Sequence, residues 1–488
     1  MPKNIVIIGG GISGLATAYY LQEQLALSKD RAICHLIEAR ERLGGVILTE
    51  TVDGFVIEGG PDSFLSQKPW ALELCQWLGL TDRLIGTRED QRKTYVLCKG
   101  QLQELPEGLT LMVPTRLRPF LWSGLISLPG KIRMGMDLFL PRKKDEEDES
   151  MGAFVRRRLG QEALERIAEP LMAGIYAGNA DQISLKATFP NFLTLEREYG
   201  SLIRGMWFKR REVQRRQREE APSKWTLFMT LQGGLTELVQ ALIAKLDGVS
   251  LMTGKQVIRV NPDSSQMATL NLSPRQPVYQ IQLAEGRVLP ADAVILATPA
   301  YATATLVEGF SPSLATLLRQ IPYVSTATVS LGYKKSDLSP LPQGFGFVVP
   351  RSEHRKIIAS TWTSNKYPHR APEGGILLRC YLGGADHEEL VSLEDRTLIQ
   401  IAREELKEIM GISREPVLAR VYRWTKAMPQ YLVGHLDRLA ILEELLSRYP
   451  GLFLTGSAYR GVGIPDCIRH GALTAEKVIK YLQLGTWA

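Results

Sequence analysis

A short apolar strand that leads directly into a glycine-rich turn constrains the fold of this chain more than any other feature. Residues 4–8 read NIVII, and the next six residues read GGGISG, which contains the pattern GxGxxG. A helical pattern follows over residues 15–25, and residues 34–39, CHLIEA, predict a second strand. The chain therefore opens with a predicted β-α-β unit whose first turn suits a dinucleotide.

The glycines of this unit and one acidic residue each have a physical reason to be there. Gly9 permits the tight turn, Gly11 lets a pyrophosphate approach the backbone, and Gly14 lets the helix pack closely on the strand. The amides at the start of the helix then face the phosphates. Glu38 lies at the end of the predicted second strand, where a carboxylate accepts hydrogen bonds from ribose hydroxyls. The alternative, a glycine-rich turn beside a surface glutamate, requires all these parts to agree by chance.

Two further turns follow the β-α-β unit. The sequence EARERLGG places Arg42 beside Gly44 and Gly45, which allow a second backbone approach to a large cofactor and supply charge for its phosphates. Residues 59–64, GGPDSF, combine glycines with polar side chains that hydrogen-bond a neighbour. Each of these segments alone is also typical of an ordinary turn, and Lys68, which comes next, is equally typical of a solvent-exposed lysine.

The segment 456–471, GSAYRGVGIPDCIRHG, is the second strong feature. Its first glycine ends a predicted strand at 452–456, and Pro465 suits the first turn of a final helix. The start of that helix offers amides and the positive end of a dipole to an anionic group such as a reduced flavin ring. A strand, turn and helix without a ligand have the same pattern, so this segment gains weight only beside the N-terminal motif.

Composition and charge exclude several classes of protein. A net charge of +7 and a pI of about 9.0 favour acidic partners such as polycarboxylates. Five cysteines without paired spacing and six histidines without zinc-ligand spacing predict neither a disulfide framework nor a metal site. The sequence contains no GxSxG elbow, Walker loop or nucleic-acid-binding motif. We interpret two basic runs as solvated helix faces or mobile loops. They are residues 156–158 and the set Lys209, Arg210, Arg211, Arg215, Arg216 and Arg218.

We expect a cytoplasmic protein. The few cysteines suit a reducing compartment, and the first predicted strand begins too close to Met1 for a signal peptide. The most apolar stretch, 119–140, is interrupted by a glycine, prolines and basic residues, so no membrane-spanning helix is predicted. Peripheral contact of this stretch with a membrane is left open.

Nucleotide-domain pieces lie at the start, middle and end of the chain. Residues 70–224 read as mostly helical with a solvated loop at 142–150, and residues 231–246 read as a turn followed by an amphipathic helix. Strands are predicted at 256–260 and 291–299. We therefore predict one discontinuous nucleotide domain interrupted by two insertions. Its three parts are 1–75, 225–300 and 440–488, with a helical and substrate region at 76–224 and a substrate-binding domain at 301–439.

Eight segments, taken in chain order, resemble the oxygen-dependent porphyrinogen oxidases, a branch of the flavin amine oxidase superfamily. They are VIIGGGISGLATAYYL, LIEARERLGGVI, EGGPDSFL, AEPLMAGIYAG, LQGGLTELV, GFGFVVP, MPQYLVGH and GVGIPDCIRHG. The resemblance runs nearly end to end, and GVGIPDC is its most specific part. Residues 362–374 and 423–435 are similar to the soluble Gram-positive bacterial branch of that family.

The resemblance implies an α/β protein with a Rossmann-like FAD-binding domain of the p-hydroxybenzoate-hydroxylase-like type, an inserted α+β substrate domain and a helical region. Together with Arg42, Gly44 and Gly45 above, it implies FAD contacts at Gly9, Gly10, Gly11, Ile12, Ser13, Gly14, Glu38, Ala39, Val46, Gly60, Pro61, Asp62, Ser63, Val257, Trp424, Val462, Gly463 and Ile464. At Val46 we expect a backbone contact. Implied substrate contacts are Lys68, Gly174, Ile175 and Tyr176, and Lys68 is expected to pair with substrate propionates near the mouth of the active site.

One position departs from part of the family. Plant-type enzymes place an arginine near Thr94 to bind a propionate, whereas this sequence reads Lys93-Thr94-Tyr95. The departure puts plant-like substrate binding in doubt and fits a more open site.

The implied activity is the oxidation of coproporphyrinogen III to coproporphyrin III in haem biosynthesis. The substrate loses six hydrogens over about three flavin cycles, with dioxygen as electron acceptor and hydrogen peroxide as product. The flavin carries the difficult chemistry, so no strict acid–base pair is expected. Protoporphyrinogen IX is the alternative substrate, and contact with a ferrochelatase is open. Another flavin oxidase acting on amines or carotenoids, and a non-catalytic FAD-binding protein that delivers or senses porphyrin, are the rival interpretations.

Overall fold

The fold is described from a computed structural model, which covers residues 2–26, 32–110, 112–114, 116–145, 147–219, 225–263 and 278–484. The longer helices are Ile12–Ala26, Trp70–Trp77, Leu128–Gly135, Met151–Arg158, Glu169–Tyr176, Pro190–Tyr199, Leu202–Glu219, Thr236–Ala244, Ala300–Val307, Pro312–Arg319, Asp395–Met410, His435–Ser447 and Ile464–Leu482. Shorter helices are Leu117–Trp122, Gln161–Ala163, Leu185–Thr188 and Thr363–Lys366, and a π-helical turn spans Leu164–Ala168.

A five-stranded parallel sheet collects strands from distant parts of the chain. Its order is Val249–Met252, Ala32–Ile37, Lys3–Ile8, Ala293–Leu296 and Leu452–Leu454. Ile5, Ile7 and Ile295 have no exposed surface, which explains why these strands read as continuous apolar runs. The predicted Rossmann-like architecture is confirmed, and the strand predicted at 34–39 begins and ends two residues earlier, at Ala32–Ile37.

Helices pack on one face of this parallel sheet. The first helix, Ile12–Ala26, and the final helix, Ile464–Leu482, share one buried cluster with Thr236–Ala244. The first and final helices approach closely at Gly471, where a Cβ would lie 3.0 Å from the Cβ of Ala16 and from the backbone of the first helix. The start of both helices is therefore fixed against the same core.

The other face of the parallel sheet is covered by a three-stranded antiparallel sheet. Its strands are Val257–Pro262, Tyr279–Leu283 and Val288–Ala291. The strand predicted at 256–260 is thus real, but it belongs to this separate sheet. The edge strand of the parallel sheet is instead Val249–Met252, whose four residues were too short for the pattern to mark.

A seven-stranded sheet forms the second large unit. Its order is Leu418–Pro429, Tyr323–Lys334, Gly375–Gly383, Ile357–Trp362, Gly346–Val348, Thr94–Cys98 and Gln101–Glu104. The remaining strands are short, namely Thr49–Val52, Phe55–Glu58, Phe64–Leu65, Leu84–Gly86, Leu109–Thr110, Val113–Pro114 and Phe228–Leu231. The predicted domain boundaries stay a prediction.

The prediction that 70–224 is mostly helical is wrong between Leu84 and Glu104. Three strands lie there, and Thr94–Cys98 pairs in parallel with Gly346–Val348, some 250 positions later. Val96 and Leu97 are both fully buried, so the strand lacks the alternation that would have marked it.

Two charged segments interpreted as solvated are partly built into the fold. Arg158 is fully buried and pairs with Asp137 at 2.5 Å. In the 142–150 segment, Asp148 accepts hydrogen bonds from the Ser184 hydroxyl at 2.6 Å and the Gly434 amide at 3.0 Å. Arg211 and Arg215, in the second basic run, are exposed as expected on Leu202–Glu219, whereas the side chains of Arg216 and Arg218 lie outside the described residues.

The apolar stretch 119–140 forms short helices on the surface of the helical region. Trp122 is 89% exposed and Phe139 is 87% exposed. In the described parts of the chain, no helix combines the length and apolarity that crossing a membrane requires.

Candidate functional site

Of the three glycines of the GxGxxG motif, two leave no room for a side chain and one does. Gly9 has a φ of 111°, and a Cβ there would meet the carbonyl of Ala297 at 2.7 Å. A Cβ on Gly14 would lie 1.9 Å from the Gly9 carbonyl. At Gly11 the nearest atom would be the Cα of Gly45 at 3.9 Å. The turn therefore packs tightly on its inner side and leaves the backbone of Gly11 accessible, as dinucleotide binding requires.

Glu38 is held in place by backbone amides. One carboxylate oxygen accepts the amide of Gly10 at 2.7 Å, and the other accepts the amide of Arg40 at 2.9 Å. Each oxygen keeps a further lone pair, which suits a ribose hydroxyl. The Glu38 carbonyl accepts the amide of Lys255 at 3.0 Å, which brings the buried Val257 to the same end of the site.

The second glycine turn lies directly against the first. Gly44 donates its amide to the Gly10 carbonyl at 2.8 Å, and Gly44 and Gly45 both have positive φ values, 102° and 60°. The Arg42 guanidinium donates to the carbonyls of Leu43, Gly45 and Ile47. Arg42 therefore stabilises this turn, and its contact with cofactor phosphates stays a prediction.

The third glycine turn joins the two large units. A Cβ on Gly60 would lie 1.8 Å from the Val46 carbonyl, so Gly60 packs directly on the backbone of Val46. The Gly59 carbonyl accepts the indole N–H of Trp424 at 2.7 Å. Buried Arg379 donates to the carbonyls of Gly59 and Gly60. The residues expected at Val46, Gly60 and Trp424 thus meet, while the Val46 side chain is 42% exposed.

Asp62 carries a buried charge cluster. Its Oδ2 lies 2.9 Å from Nζ of Lys366, and its Oδ1 accepts the Ser63 hydroxyl at 2.6 Å. Burial acts to raise the pKa of Asp62, but the charges of Lys366 and Arg379 outweigh it and hold the pKa below its usual range. Asp62 is therefore ionised, and it fixes Ser63 beside Gly60.

The start of the final helix meets Lys68. Gly463 precedes the helix, and Pro465 lies in its first turn. Nζ of Lys68 lies 2.5 Å from Oδ2 of Asp466 in the same turn. The Gly461 amide donates to the Tyr431 hydroxyl at 2.7 Å, which fixes the loop that carries residues 462–464.

Of the residues expected to line the substrate pocket, two face open space and one is buried. A Cβ on Gly174 would meet nothing within 4 Å, and Ile175 is 46% exposed, so both face open space. Tyr176 is buried, its ring centroid lies 6.3 Å from that of Tyr431, and its backbone carbonyl accepts the side-chain amide Nε2 of Gln430 at 2.9 Å. The end of this helix is thereby joined to residues 430–431, and the Tyr431 hydroxyl in turn bonds Gly461 in the loop that precedes the final helix.

Three polar residues of the site were missed by sequence reasoning. Arg379, Lys366 and Asp466 each bond a residue more than 300 positions away in the chain. Asp466 lies within the GVGIPDC segment, so its motif was a signal. Arg379 and Lys366 lie in ordinary strand and turn sequence, which gave none.

The geometry agrees with the comparison against known proteins. Residues 12–479 match the family described as flavin containing amine oxidoreductase. The chain belongs to this flavin oxidoreductase family. That the open Gly11, the fixed Glu38 and the glycine turns at 44–45 and 59–60 hold the flavin cofactor of such an enzyme stays a prediction.

Relatives of this flavin oxidoreductase extend over its full length. The chain is 40% identical to coproporphyrinogen III oxidase of Bacillus subtilis over 98% of each chain. It is 35% identical to coproporphyrinogen III oxidase of Staphylococcus aureus, covering 99% of this chain and 100% of the relative. It is 30% identical to the chloroplastic protoporphyrinogen oxidase of Oryza sativa, covering 98% and 88%.

Solved structures agree with the fold of this flavin oxidoreductase. A protein from Exiguobacterium sp. 255-15, assigned as a protoporphyrinogen oxidase, superimposes with a TM-score of 0.83 at 32% identity over 99% of both chains. Putrescine oxidase bound to putrescine gives a TM-score of 0.67 at 16% identity over 98% and 99%, which shows the shared fold alone.

The segment that departs from plant-type enzymes has its own partners. Lys93 pairs with Glu104 at 2.8 Å, and the Tyr95 hydroxyl donates to the Gln343 carbonyl at 2.9 Å. Thr94 begins the strand Thr94–Cys98 in the seven-stranded sheet. An open substrate site near Thr94 stays a prediction.

Proposed function

We propose that this flavin oxidoreductase is an FAD-dependent coproporphyrinogen III oxidase of haem biosynthesis. The observation that carries the proposal is the 40% identity with a coproporphyrinogen III oxidase across 98% of both chains. The geometry supports it, because Lys68 pairs with Asp466 in the first turn of the final helix, and Tyr431 links Tyr176 to the loop just before that helix.

The cofactor we propose is FAD rather than a mononucleotide. A mononucleotide flavin has no adenosine, and Glu38 would then have no ribose to bind. The two backbone amides that hold Glu38 at the end of the second strand support the larger cofactor. The contacts at Ile12, Ser13, Ala39, Pro61 and Ile464 belong to the same proposal, as do those already described.

FAD, when bound, would supply two-electron oxidation with dioxygen as acceptor, so a six-electron substrate needs about three cycles. The role of the protein chain itself is to bind and orient the substrate. Lys68 would hold a substrate carboxylate, as a lysine ammonium can. The start of the final helix, with the positive end of its dipole, would stabilise negative charge on the reduced flavin.

Protoporphyrinogen IX is a second candidate substrate, because relatives at 30% identity are protoporphyrinogen oxidases. The relatives at 40% and 35% identity that are coproporphyrinogen III oxidases favour the substrate with four carboxylates. We further propose a cytoplasmic location. Peripheral membrane contact through 119–140 and contact with a ferrochelatase stay predictions.

The test is an anaerobic half-reaction. The purified protein receives coproporphyrinogen III or protoporphyrinogen IX, and bleaching of the flavin absorbance is followed. Air is then admitted, and porphyrin fluorescence and hydrogen peroxide are measured. Faster bleaching by coproporphyrinogen III followed by peroxide is the expected result. Faster bleaching by protoporphyrinogen IX favours the second candidate, and bleaching by neither overturns porphyrinogen oxidation.

A further inference from the structure

We infer that Asp466 is an internal counter-ion which occupies Lys68 in the empty enzyme and must release it to a substrate carboxylate. The inference rests on the proposed function and deepens it. It makes Asp466 a specificity-determining residue, because it sets how strongly the site attracts a polycarboxylate.

The two partners differ in how firmly they are held. The Lys68 side chain is 42% exposed, whereas that of Asp466 is 12% exposed. Asp466 packs against glycines, since a Cβ on Gly461 would lie 2.5 Å from its Cβ and a Cβ on Gly463 would lie 3.2 Å from its Oδ2. Gly461 is itself fixed by the Tyr431 hydroxyl at 2.7 Å. Lys68, with its long flexible stem, is therefore the partner that moves.

The pair lies beside the predicted substrate pocket, because Asp466 packs on Gly461, Gly461 bonds the Tyr431 hydroxyl, and the Tyr431 ring centroid lies 6.3 Å from that of Tyr176. The negative charge of Asp466 adds to the effect of burial in raising the pKa of Tyr176, so the carboxylate and this pocket residue are within electrostatic range. A carboxylate that enters beside Tyr176 therefore meets a lysine that already has an anionic partner. Binding exchanges one ion pair for another, and the net attraction is smaller than that of a free lysine.

Removing the carboxylate while keeping its shape tests this exchange. Asp466→Asn frees Lys68, and we expect coproporphyrin III to bind about two- to fivefold more tightly, the range of a partly exposed ion pair. The Michaelis constant for coproporphyrinogen III should fall by a similar factor. Lys68→Met should weaken binding, and Asp466→Asn should have no further effect in that background.

The binding assay uses quenching of coproporphyrin III fluorescence by the flavin-loaded protein, with Glu476→Gln as control. Glu476 is exposed on the same helix, so this variant makes the same change in net charge away from Lys68. If Asp466→Asn fails to fold, Asp466→Ser replaces it, because the smaller neutral side chain fits in the space against Gly461 and Gly463.

Two outcomes overturn the inference alone. In the first, Asp466→Asn changes the affinity for coproporphyrin III by the same factor in the wild-type and the Lys68→Met backgrounds. In the second, Asp466→Asn binds coproporphyrin III more weakly than a wild type that does oxidise coproporphyrinogen III. A wild type that neither binds coproporphyrin III nor oxidises its porphyrinogen overturns the inference together with the proposed function.

Discussion

Trp424 donates its indole N–H to the carbonyl oxygen of Gly59 at 2.7 Å, across 365 positions of the chain. The same carbonyl accepts the Thr328 hydroxyl at 3.2 Å and Nη2 of Arg379 at 3.3 Å. All three donors come from the seven-stranded sheet, and the acceptor begins the third glycine turn. The position of a turn expected to contact the flavin therefore depends on the sheet of the other unit.

Arg379→Met should loosen this turn. The guanidinium is buried and donates to the carbonyls of Gly59 and Gly60, which would be left without it. We expect unfolding free energy to fall by about 2–4 kcal/mol and bound flavin to fall at least severalfold. Denaturant unfolding measures the change in free energy, and the flavin-to-protein absorbance ratio after gel filtration measures the bound flavin.

The control for Arg379→Met is Arg420→Met on the same sheet. Arg420 pairs with Glu50 at 3.1 Å, and its side chain is 38% exposed, so its loss should cost less than about 1 kcal/mol. An Arg379→Met protein that retains full flavin and full stability would contradict the proposed dependence of the turn on the sheet.

Glu38→Gln should weaken flavin binding. A glutamine turns one acceptor oxygen into an amide donor, which then faces the N–H of Gly10 or Arg40. Hydrogen bonds to a charged group contribute about 1.5–3 kcal/mol, so we expect flavin affinity to fall by about 10- to 100-fold. Titration of the apoprotein with FAD measures it. Exposed Glu41, changed to Gln, is the control and should leave affinity unchanged.

The sequence allowed the prediction of those parts of the site that are contiguous in the chain. The glycines at 9–14 and Glu38 could be assigned because strand, turn and helix follow one another, and physical reasons fix each residue within them. The parallel sheet was predicted in outline, since its buried strands read as apolar runs.

Long-range pairs could not be predicted in the same way. Lys366 pairs with Asp62 across 304 positions, and nothing in the local sequence of either residue marks the other. Burial also changes what a charged residue does. The run at 156–158 looks uniform in sequence, yet Arg158 has no exposed side-chain surface while Arg156 is 45% exposed.

Arg158→Met should strongly destabilise the helical region. Arg158 lies 2.5 Å from Asp137 with both side chains fully buried, and it also donates to the Gly200 carbonyl at 2.8 Å. Removing one partner of a buried pair leaves the other charge unpaired, so we expect a loss of about 3–5 kcal/mol in unfolding free energy. Denaturant unfolding of the whole protein measures it.

Arg156→Met is the matched control for Arg158→Met, because Arg156 is in the same helix and its partner Asp181 is 53% exposed. It should cost less than about 1 kcal/mol. Equal losses in the two variants would show that burial of the Arg158 pair is not what stabilises this region.

Glu169 begins the helix Glu169–Tyr176, which carries the residues expected to line the substrate pocket. Burial raises the pKa of Glu169 from 4.5 to about 7, and the charge of Asp386 adds to this, while Arg351, 3.5 Å away, opposes it. Between about pH 4.5 and 7, Glu169 therefore keeps its proton in the folded protein but has released it in the unfolded chain. The stability that this proton contributes is fully present below about pH 4.5 and is lost as pH rises to about 7.

Glu169→Gln mimics the protonated side chain and removes this pH dependence. We expect the variant to gain stability relative to the wild type as pH rises from about 5 to 8, with a difference of about 1–3 kcal/mol at the upper end. Denaturant unfolding at several pH values measures the difference, with exposed Glu198→Gln as control. Parallel curves for wild type and Glu169→Gln would mean that Glu169 is ionised throughout, and Arg351 would then outweigh burial at the start of this helix.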